Sequence, residues 1–199
     1  MAFLALLFLS LCGVFTQTYA ANYRVTVDTG NVDSAGTDAK VSLTIIGNRG
    51  RTEQLELPED AQKSKFERGN TNDFDVSSSA NVGTITNIII GHDNSGVRPG
   101  WFLNTVRVRK VFTTAEAAEI LEFVKARGGS HKSGTCYRRG DEVYGVVYND
   151  LFNGKGLAKT PAYVEYEFNW KNWIAADELD RTLEKTLDVS KKTVGFSSA

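Results

Sequence analysis

A loop between two predicted strands concentrates side-chain oxygens that could bind a hard cation. It runs from Asp28 to Asp38, and its carboxylate and amide side chains are Asp28, Asn31, Asp33 and Asp38. Gly30 and Gly36 give the backbone freedom to turn its carbonyls inward. Calcium takes six to eight oxygens from carboxylates and carbonyls together, so the loop is a candidate calcium site. The spacing is not that of an EF-hand, and the same residues are typical of a tight strand connection, so both interpretations stay open.

Two other polar clusters interrupt the apolar pattern. Asn70–Asp73 and His92–Asn94 both lie between predicted strands, where Asn and Asp side chains commonly close turns on their own backbone. Binding residues are often carried on the loops of a rigid scaffold, so Asp93 and Asn94 are our candidates for contact with a ligand or partner. The alternative is that both residues form turns and nothing more.

The sequence contains no recognisable catalytic motif. His92 and His131 do not stand at zinc-ligand spacing, and there is no Gly-x-Ser-x-Gly elbow, phosphate-binding loop or dinucleotide fingerprint. Cys136 lies five residues after His131, but no third residue completes a nucleophilic site. This pattern favours a binding module and predicts that the protein is not an enzyme. The enzymatic alternative is a hydrolase or accessory subunit with its chemistry near His131 and Cys136.

Arg139-Gly140-Asp141 spells a tripeptide that integrins recognise, and it falls in a predicted turn. The same three residues are ordinary turn formers. A matrix or adhesion protein that acts through this tripeptide is therefore a second alternative function.

One tryptophan stands where a strand pattern breaks down. Trp173 belongs to Trp170–Ile174, a segment in which polar and apolar residues no longer alternate. An exposed indole at an edge is favourable at a membrane interface. Trp173 is therefore a candidate residue for binding lipid or a partner.

Short alternating strands must position these residues. Polar and apolar residues alternate along Tyr23–Asp28 and Val41–Ile45, which is the period of half-buried strands. Further strands are predicted at Thr52–Leu57, Phe74–Val76, Thr84–Ile90, Phe102–Val111 and Tyr163–Trp170. Short strands separated by turn signals predict an all-β fold, an antiparallel sandwich.

A region after the sixth predicted strand departs from the β pattern. Thr113–Glu116 forms a capping box before an apolar stripe at helical spacing, and Gly128-Gly129 supplies a stop, so a helix is predicted over 113–127. A β-hairpin that turns at Arg138–Asp141 follows. Asp177–Leu187 is predicted to be a short helix or turn, and residues 188–199 a loose tail.

The first 20 residues differ from the rest of the chain. They hold an apolar core without charge, since the first charged residue is Arg24, and they end in small residues that a signal peptidase reads. The apolar core is shorter than the roughly 20 residues that a spanning helix needs. We expect a cleaved signal peptide and a secreted protein without a transmembrane anchor. The 23 basic and 24 acidic residues leave no basic excess for nucleic acid, which we exclude as a partner.

Five blocks in a fixed order resemble the PLAT domain, also called the lipoxygenase homology (LH2) domain. They are Tyr23–Gly30, Ala35–Ala39, Phe66–Gly69 with Asp73-Phe74, Ile90–Asn94 and Pro99–Leu103, and the resemblance resumes at Tyr166–Phe168, Trp173–Ala175 and Asp177-Glu178. The chain then divides into a signal peptide (1–20), the first part of the sandwich (21–111), an insertion containing the helix and hairpin (112–161), a closing strand (162–187) and a tail (188–199).

The resemblance implies an eight-stranded antiparallel β-sandwich of two four-stranded sheets without catalytic residues. It also implies binding to membrane lipid or to an extracellular protein partner, often assisted by calcium (Ca²⁺). By position, calcium would lie near Asp38, Glu67 and the backbone of Ser34–Gly36. Our predicted metal site accordingly comprises Asp33, Ser34, Gly36, Asp38 and Glu67.

Overall fold

The computed structural model describes residues 20–58, 65–114, 117–118, 160–176 and 183–197. Ten strands lie within these ranges, from β1 to β10 in chain order. They are β1 Ala21–Thr29, β2 Val41–Gly47, β3 Gly50–Arg51, β4 Leu55–Leu57, β5 Thr71–Ser78, β6 Ile85–His92, β7 Trp101–Val111, β8 Thr160–Ile174, β9 Glu184–Asp188 and β10 Lys191–Ser197.

The strands form two antiparallel sheets. The first sheet has the order β10-β8-β7-β1-β5, and the second has the order β3-β2-β6-β9 with β4 also paired to β2. β3 pairs with the C-terminal end of β2 and β4 with its N-terminal end, so the two are pieces of one interrupted edge strand. Thr52 lies in the interruption, where its amide donates to the Ile45 oxygen at 2.9 Å. The all-β antiparallel sandwich predicted from the sequence is confirmed.

The hydrophobic core lies between the two sheets. On β1, Tyr23, Val25 and Val27 are buried while Arg24 between them is exposed. Members of the same core from the second sheet are Leu43, Ile45, Ile88 and Ile90. Full burial of such a side chain stabilises the fold by about 1.5–3 kcal/mol. The alternation also fixes the strand register, because a slip of one residue would turn the inner set outward.

The two C-terminal strands differ from the sequence prediction. Glu184–Asp188 forms β9 on the free edge of β6 instead of a helix or turn. Residues 191–197, predicted to belong to a loose tail, form β10 against β8. The tail prediction is wrong because an edge strand is held by backbone hydrogen bonds and needs no apolar alternation of its own. The first sheet therefore has five strands instead of the expected four.

The insertion and the N-terminal segment fall largely outside the described residues. Residues 1–19, the hairpin at 138–141, His131 and Cys136 all lie there. Of the predicted helix, Thr114, Ala117 and Ala118 are helical, and the Ala117 amide donates to the Thr113 oxygen at 2.9 Å. Within the described ranges, no helix has the length and apolar character needed to cross a membrane.

Because the strands run antiparallel, their connections lie at both ends of the sandwich. Three connections meet at one end, which we call the loop end: residues 30–40, 65–70 and 93–100. Trp101 pairs with Ile174 at this end of the first sheet, and Val111 pairs with Tyr163 at the other. The segment that links β7 to β8 therefore leaves and re-enters the sandwich at the end opposite the loop end.

Candidate binding site at the loop end

Backbone hydrogen bonds hold the three connections of the loop end together. The Gly69 amide donates to the Gly30 oxygen at 3.0 Å, and the Asp38 amide to the Arg98 oxygen at 3.3 Å. The Asp93 amide donates to the Lys40 oxygen at 3.1 Å. The 30–40 segment thus bonds to both of the others and acts as the centre of the loop end.

Close packing of the backbone brings two predicted calcium segments side by side. A Cβ atom at Gly36 would lie 3.1 Å from the Phe66 oxygen and 3.3 Å from the Glu67 Cα atom. The Thr37 amide also donates to the Phe66 oxygen at 3.3 Å. Phe66 is fully buried at a φ of 61° and fixes the turn that presents Glu67. Gly36 therefore permits an approach that no larger residue would allow without a shift.

Asp38 and Glu67 are exposed carboxylates that lie on these adjoining segments. Within the described part of the chain, no hydrogen bond or ion pair engages either carboxylate. The same ranges hold no cluster of three His, Cys, Asp or Glu side chains arranged as metal ligands. The two carboxylates and the carbonyls of Ser34 and Gly36 are hard oxygens, which fit calcium with water completing its shell, whereas the Ala35 carbonyl accepts from the Phe102 amide at 2.9 Å.

Asp33 has a different partner from the one the metal prediction expects. The Arg68 guanidinium bonds to the Asp33 carboxylate through Nη1, and its Nε donates to the Asn31 Oδ1 atom at 2.9 Å. Ser34, the next residue, is exposed at a φ of 59°. Arg68 therefore neutralises Asp33 and ties the first loop to the 65–70 segment. Sequence reasoning missed Arg68 because a surface arginine carries no signal of its partner.

Asp93 and Asn94 shape the third loop. The Asp93 Oδ1 atom accepts hydrogen bonds from the Lys40 amide at 3.1 Å and from the Ser95 amide at 2.9 Å. The Ser95 hydroxyl, together with these amides, holds the pKa of Asp93 below its usual value. Asn94 adopts a φ of 59°. Of these two residues, Asp93 uses its carboxylate to close the turn. This is the turn-forming role that the sequence left open as the alternative to ligand contact.

The 93–100 loop also exposes an apolar residue that sequence reasoning did not select. Val97 is 89% exposed, the highest value among the exposed large hydrophobic side chains of the described residues. Gly96 before it has a φ of +81° and packs against Asp38. The loop thus projects Val97 into solvent one residue after the contact between Gly96 and Asp38. A lone valine between Gly and Arg gives no periodic pattern that could have revealed this.

Trp173 lies within β8 and is partly buried, whereas the sequence suggested an exposed loop tip. Its ring meets Phe102 edge to face, with centroids 5.5 Å apart. Lys171 has a φ of 56°, and the pairing of β7 with β8 shifts register between Leu103 and Thr105. This irregularity removes the alternation in the sequence while the strand continues to Ile174. Trp173 and Phe102 form an aromatic pair near the loop end.

Comparisons with known proteins identify the fold and then the family. The coral 8R-lipoxygenase, whose reported structure describes calcium activation through a C2-like domain, matches 86% of this chain and 17% of its own, with a TM-score of 0.51 and 23% identity. That likeness establishes the β-sandwich fold. A model of the PLAT/LH2 domain matches residues 23–124. The chain belongs to the PLAT/LH2 domain family, as its sequence blocks predicted.

Curated relatives are much longer than this chain. Mouse lipoxygenase homology domain-containing protein 1 is 40% identical over 88 residues, which are 44% of this chain and 4% of the relative. Human polycystin-1-like protein 3 is 40% identical over 87 residues, which are 44% of this chain and 5% of the relative. The shared part is one domain within each of these proteins.

Proposed function

We propose that this chain is a secreted, non-catalytic interaction module that binds a membrane lipid surface or a protein partner through its loop end, with calcium assisting. The observation that carries the proposal is the loop end itself. Three connections, cross-linked by backbone hydrogen bonds, present Val97 at 89% exposure directly after Gly96, which packs against the backbone of Asp38. Family membership supports the same reading, because several relatives carry this domain within larger proteins.

The chemistry of the loop end favours a lipid surface as the first ligand to test. Val97 and the Phe102–Trp173 pair supply apolar and aromatic groups suited to the interfacial region of a bilayer. Asp38 and Glu67 would repel anionic headgroups by themselves. A calcium ion held by their oxygens would reverse that repulsion and bridge the loop end to lipid phosphate.

Secretion is part of the proposal and rests on the N-terminal 20 residues. Their apolar core, the small residues before Ala21 and the position of the first charge at Arg24 are the features of a signal peptide. The single test is N-terminal sequencing of the protein recovered from the culture medium. A mature N-terminus near Ala21 is expected, and retention of Met1 in cells would contradict secretion.

Vesicle sedimentation tests the binding proposal. The chain is expected to sediment with phosphatidylserine vesicles in calcium and to remain soluble when the calcium is chelated. Val97→Asp and Trp173→Ala should each lower the bound fraction several-fold. Val111→Asp is the matched control, because Val111 is 47% exposed at the opposite end of β7.

Two outcomes would redirect the proposal. If neither phosphatidylserine nor phosphatidylcholine vesicles bind the chain, with or without calcium, the lipid reading fails and an extracellular protein becomes the ligand to seek. If Val111→Asp weakens sedimentation as much as Val97→Asp, the chain binds lipid through a surface other than the loop end.

A further inference from the structure

His92 ends β6 and is one of the most buried polar residues of the described chain, at 4% exposure. Its Nε2 atom lies 2.9 Å from the carbonyl oxygen of Ile174, and its Nδ1 atom lies 3.2 Å from the amide nitrogen of Asn94. A carbonyl accepts and an amide N–H donates, so Nε2 must carry the hydrogen and Nδ1 must be bare. The geometry assigns the neutral Nε2–H form of the ring.

The ring joins two parts of the binding end that are far apart in the sequence. Asn94 lies on the 93–100 loop that carries Val97, and its amide donates to the imidazole Nδ1 atom at 3.2 Å. Ile174 is the last residue of β8 and follows Trp173 directly. One imidazole therefore fixes both the exposed apolar loop and the strand end that bears the aromatic pair.

We propose that His92 is a positioning residue that holds the 93–100 loop to the end of β8 in its neutral form and releases the loop when it is protonated. A second ring proton would sit on Nδ1 and point at the Asn94 N–H, so two donors would face each other. The Asn94 hydrogen bond would be lost, and a charge would be placed on a ring that is 4% exposed. Acidification would thus loosen the loop that presents Val97.

The charged groups around this joint belong to three elements. Asp93 follows His92 on the loop, Lys40 precedes the β2 residue paired with His92, and Glu184 begins β9 beside Gly91. The Asp93 carboxylate is bonded to the Lys40 and Ser95 amides. In the described part of the chain, no hydrogen bond joins any of these three side chains to the imidazole, whose two nitrogens are both bonded to backbone groups.

The effect of His92 on binding rests on the proposed function. The test of the hydrogen bonds themselves uses the protein without vesicles or partner. A His131→Gln background leaves His92 as the sole imidazole. Nitrogen-15 spectra of that protein should show a protonated Nε2 and a bare Nδ1 at pH 7.5. The hydrogen-exchange protection factor of the Asn94 amide should fall on the order of tenfold between pH 7.5 and pH 5. The Ile45 amide, bonded to the Thr52 hydroxyl, is the reference.

Two non-titrating variants separate the pH effect from a structural one. His92→Asn carries a neutral acceptor near the Nδ1 position and should protect the Asn94 amide equally at both pH values. His92→Gln carries a neutral donor near Nε2 and should leave that amide unprotected at both. An Nδ1–H tautomer at pH 7.5, parallel changes at Asn94 and Ile45, or an undiminished pH effect in His92→Asn would overturn the inference. Absent vesicle binding would count against the proposed function alone.

Discussion

Gly96 lies so close to Asp38 that a Cβ atom on Gly96 would stand 2.7 Å from the Asp38 Cβ atom and 2.8 Å from its carbonyl oxygen. Gly96 also has a φ of +81°, a conformation that other residues adopt with strain. The loop that exposes Val97 and the segment that carries Asp38 are therefore in contact through a residue without a side chain. The position of Asp38 depends on that contact.

Gly96→Ala should destabilise the protein and displace Asp38. A substitution at positive φ costs about 1 kcal/mol, and the clash with the Asp38 backbone adds to that cost, so we expect the free energy of unfolding to fall by about 2 kcal/mol. Urea denaturation measures it. Gly50→Ala is the matched control, because Gly50 has a φ of +129° with no atom near its Cβ position. Equal losses in the two variants would show that the contact with Asp38 has no energetic weight.

Calcium should raise the melting temperature of the wild-type protein. An ion that binds the folded state alone stabilises it by about 2.7 kcal/mol at a hundred times its dissociation constant. Asp38→Asn and Glu67→Gln should each reduce the calcium-dependent shift at a given ion concentration. Glu56→Gln, an exposed carboxylate in β4, should leave it unchanged. If millimolar calcium leaves the melting temperature unchanged, calcium is not part of the proposed function.

The carboxylate of Asp93 should make stability depend on pH in the acid range. Hydrogen bonds from Ser95 and Lys40 lower the pKa of Asp93 in the folded protein below its value in the unfolded chain. The stabilisation is therefore complete above the unfolded pKa of about 3.9 and is lost as the pH falls through the folded value. Asp93→Asn should weaken the pH dependence of the unfolding free energy below pH 5. Ser95→Ala, which removes the first of these donors, should have a smaller effect in the same direction.

The two tryptophans near the loop end should differ sharply in their importance for folding. Trp101 is fully buried, meets Phe66 edge to face and donates from Nε1 to the Thr29 hydroxyl at 3.1 Å. Trp101→Ala should cost about 3–5 kcal/mol of stability. Trp173→Ala should cost about 1 kcal/mol, because the Trp173 ring makes one aromatic contact and is partly exposed to solvent. Guanidinium denaturation curves with similar midpoints for the two variants would contradict this assignment.

Local patterns explain why the sandwich could be predicted and its last strand could not. β1 along its whole length and β2 from Val41 to Ile45 alternate because one face of each is buried, and a period of two is visible in the sequence. β10 joins the edge of β8 through backbone bonds. Backbone hydrogen bonds do not require particular residue types, so the sequence of residues 191–197 did not indicate a strand.

The family resemblance could predict which loop segments meet, but not which side chains from different segments bond to each other, and calcium binding there stays a prediction. The contact of Gly36 with the Phe66–Glu67 backbone agrees with the two segments that the family resemblance selected. The pairing of Asp33 with Arg68 joins residues from different connections, and a sequence gives no distance between them. The ring of Trp173 was misplaced because the irregular backbone at Lys171 hides a strand that continues.

The hydrogen bond from the Phe112 amide to the Ala162 oxygen, 2.9 Å long, closes the base from which the β7–β8 segment departs. Entry and exit of that segment are therefore adjacent, at the end of the strands opposite the loop end. We expect a change in the size or composition of the segment to leave the loop end intact. Two surfaces of one domain could then change independently of each other.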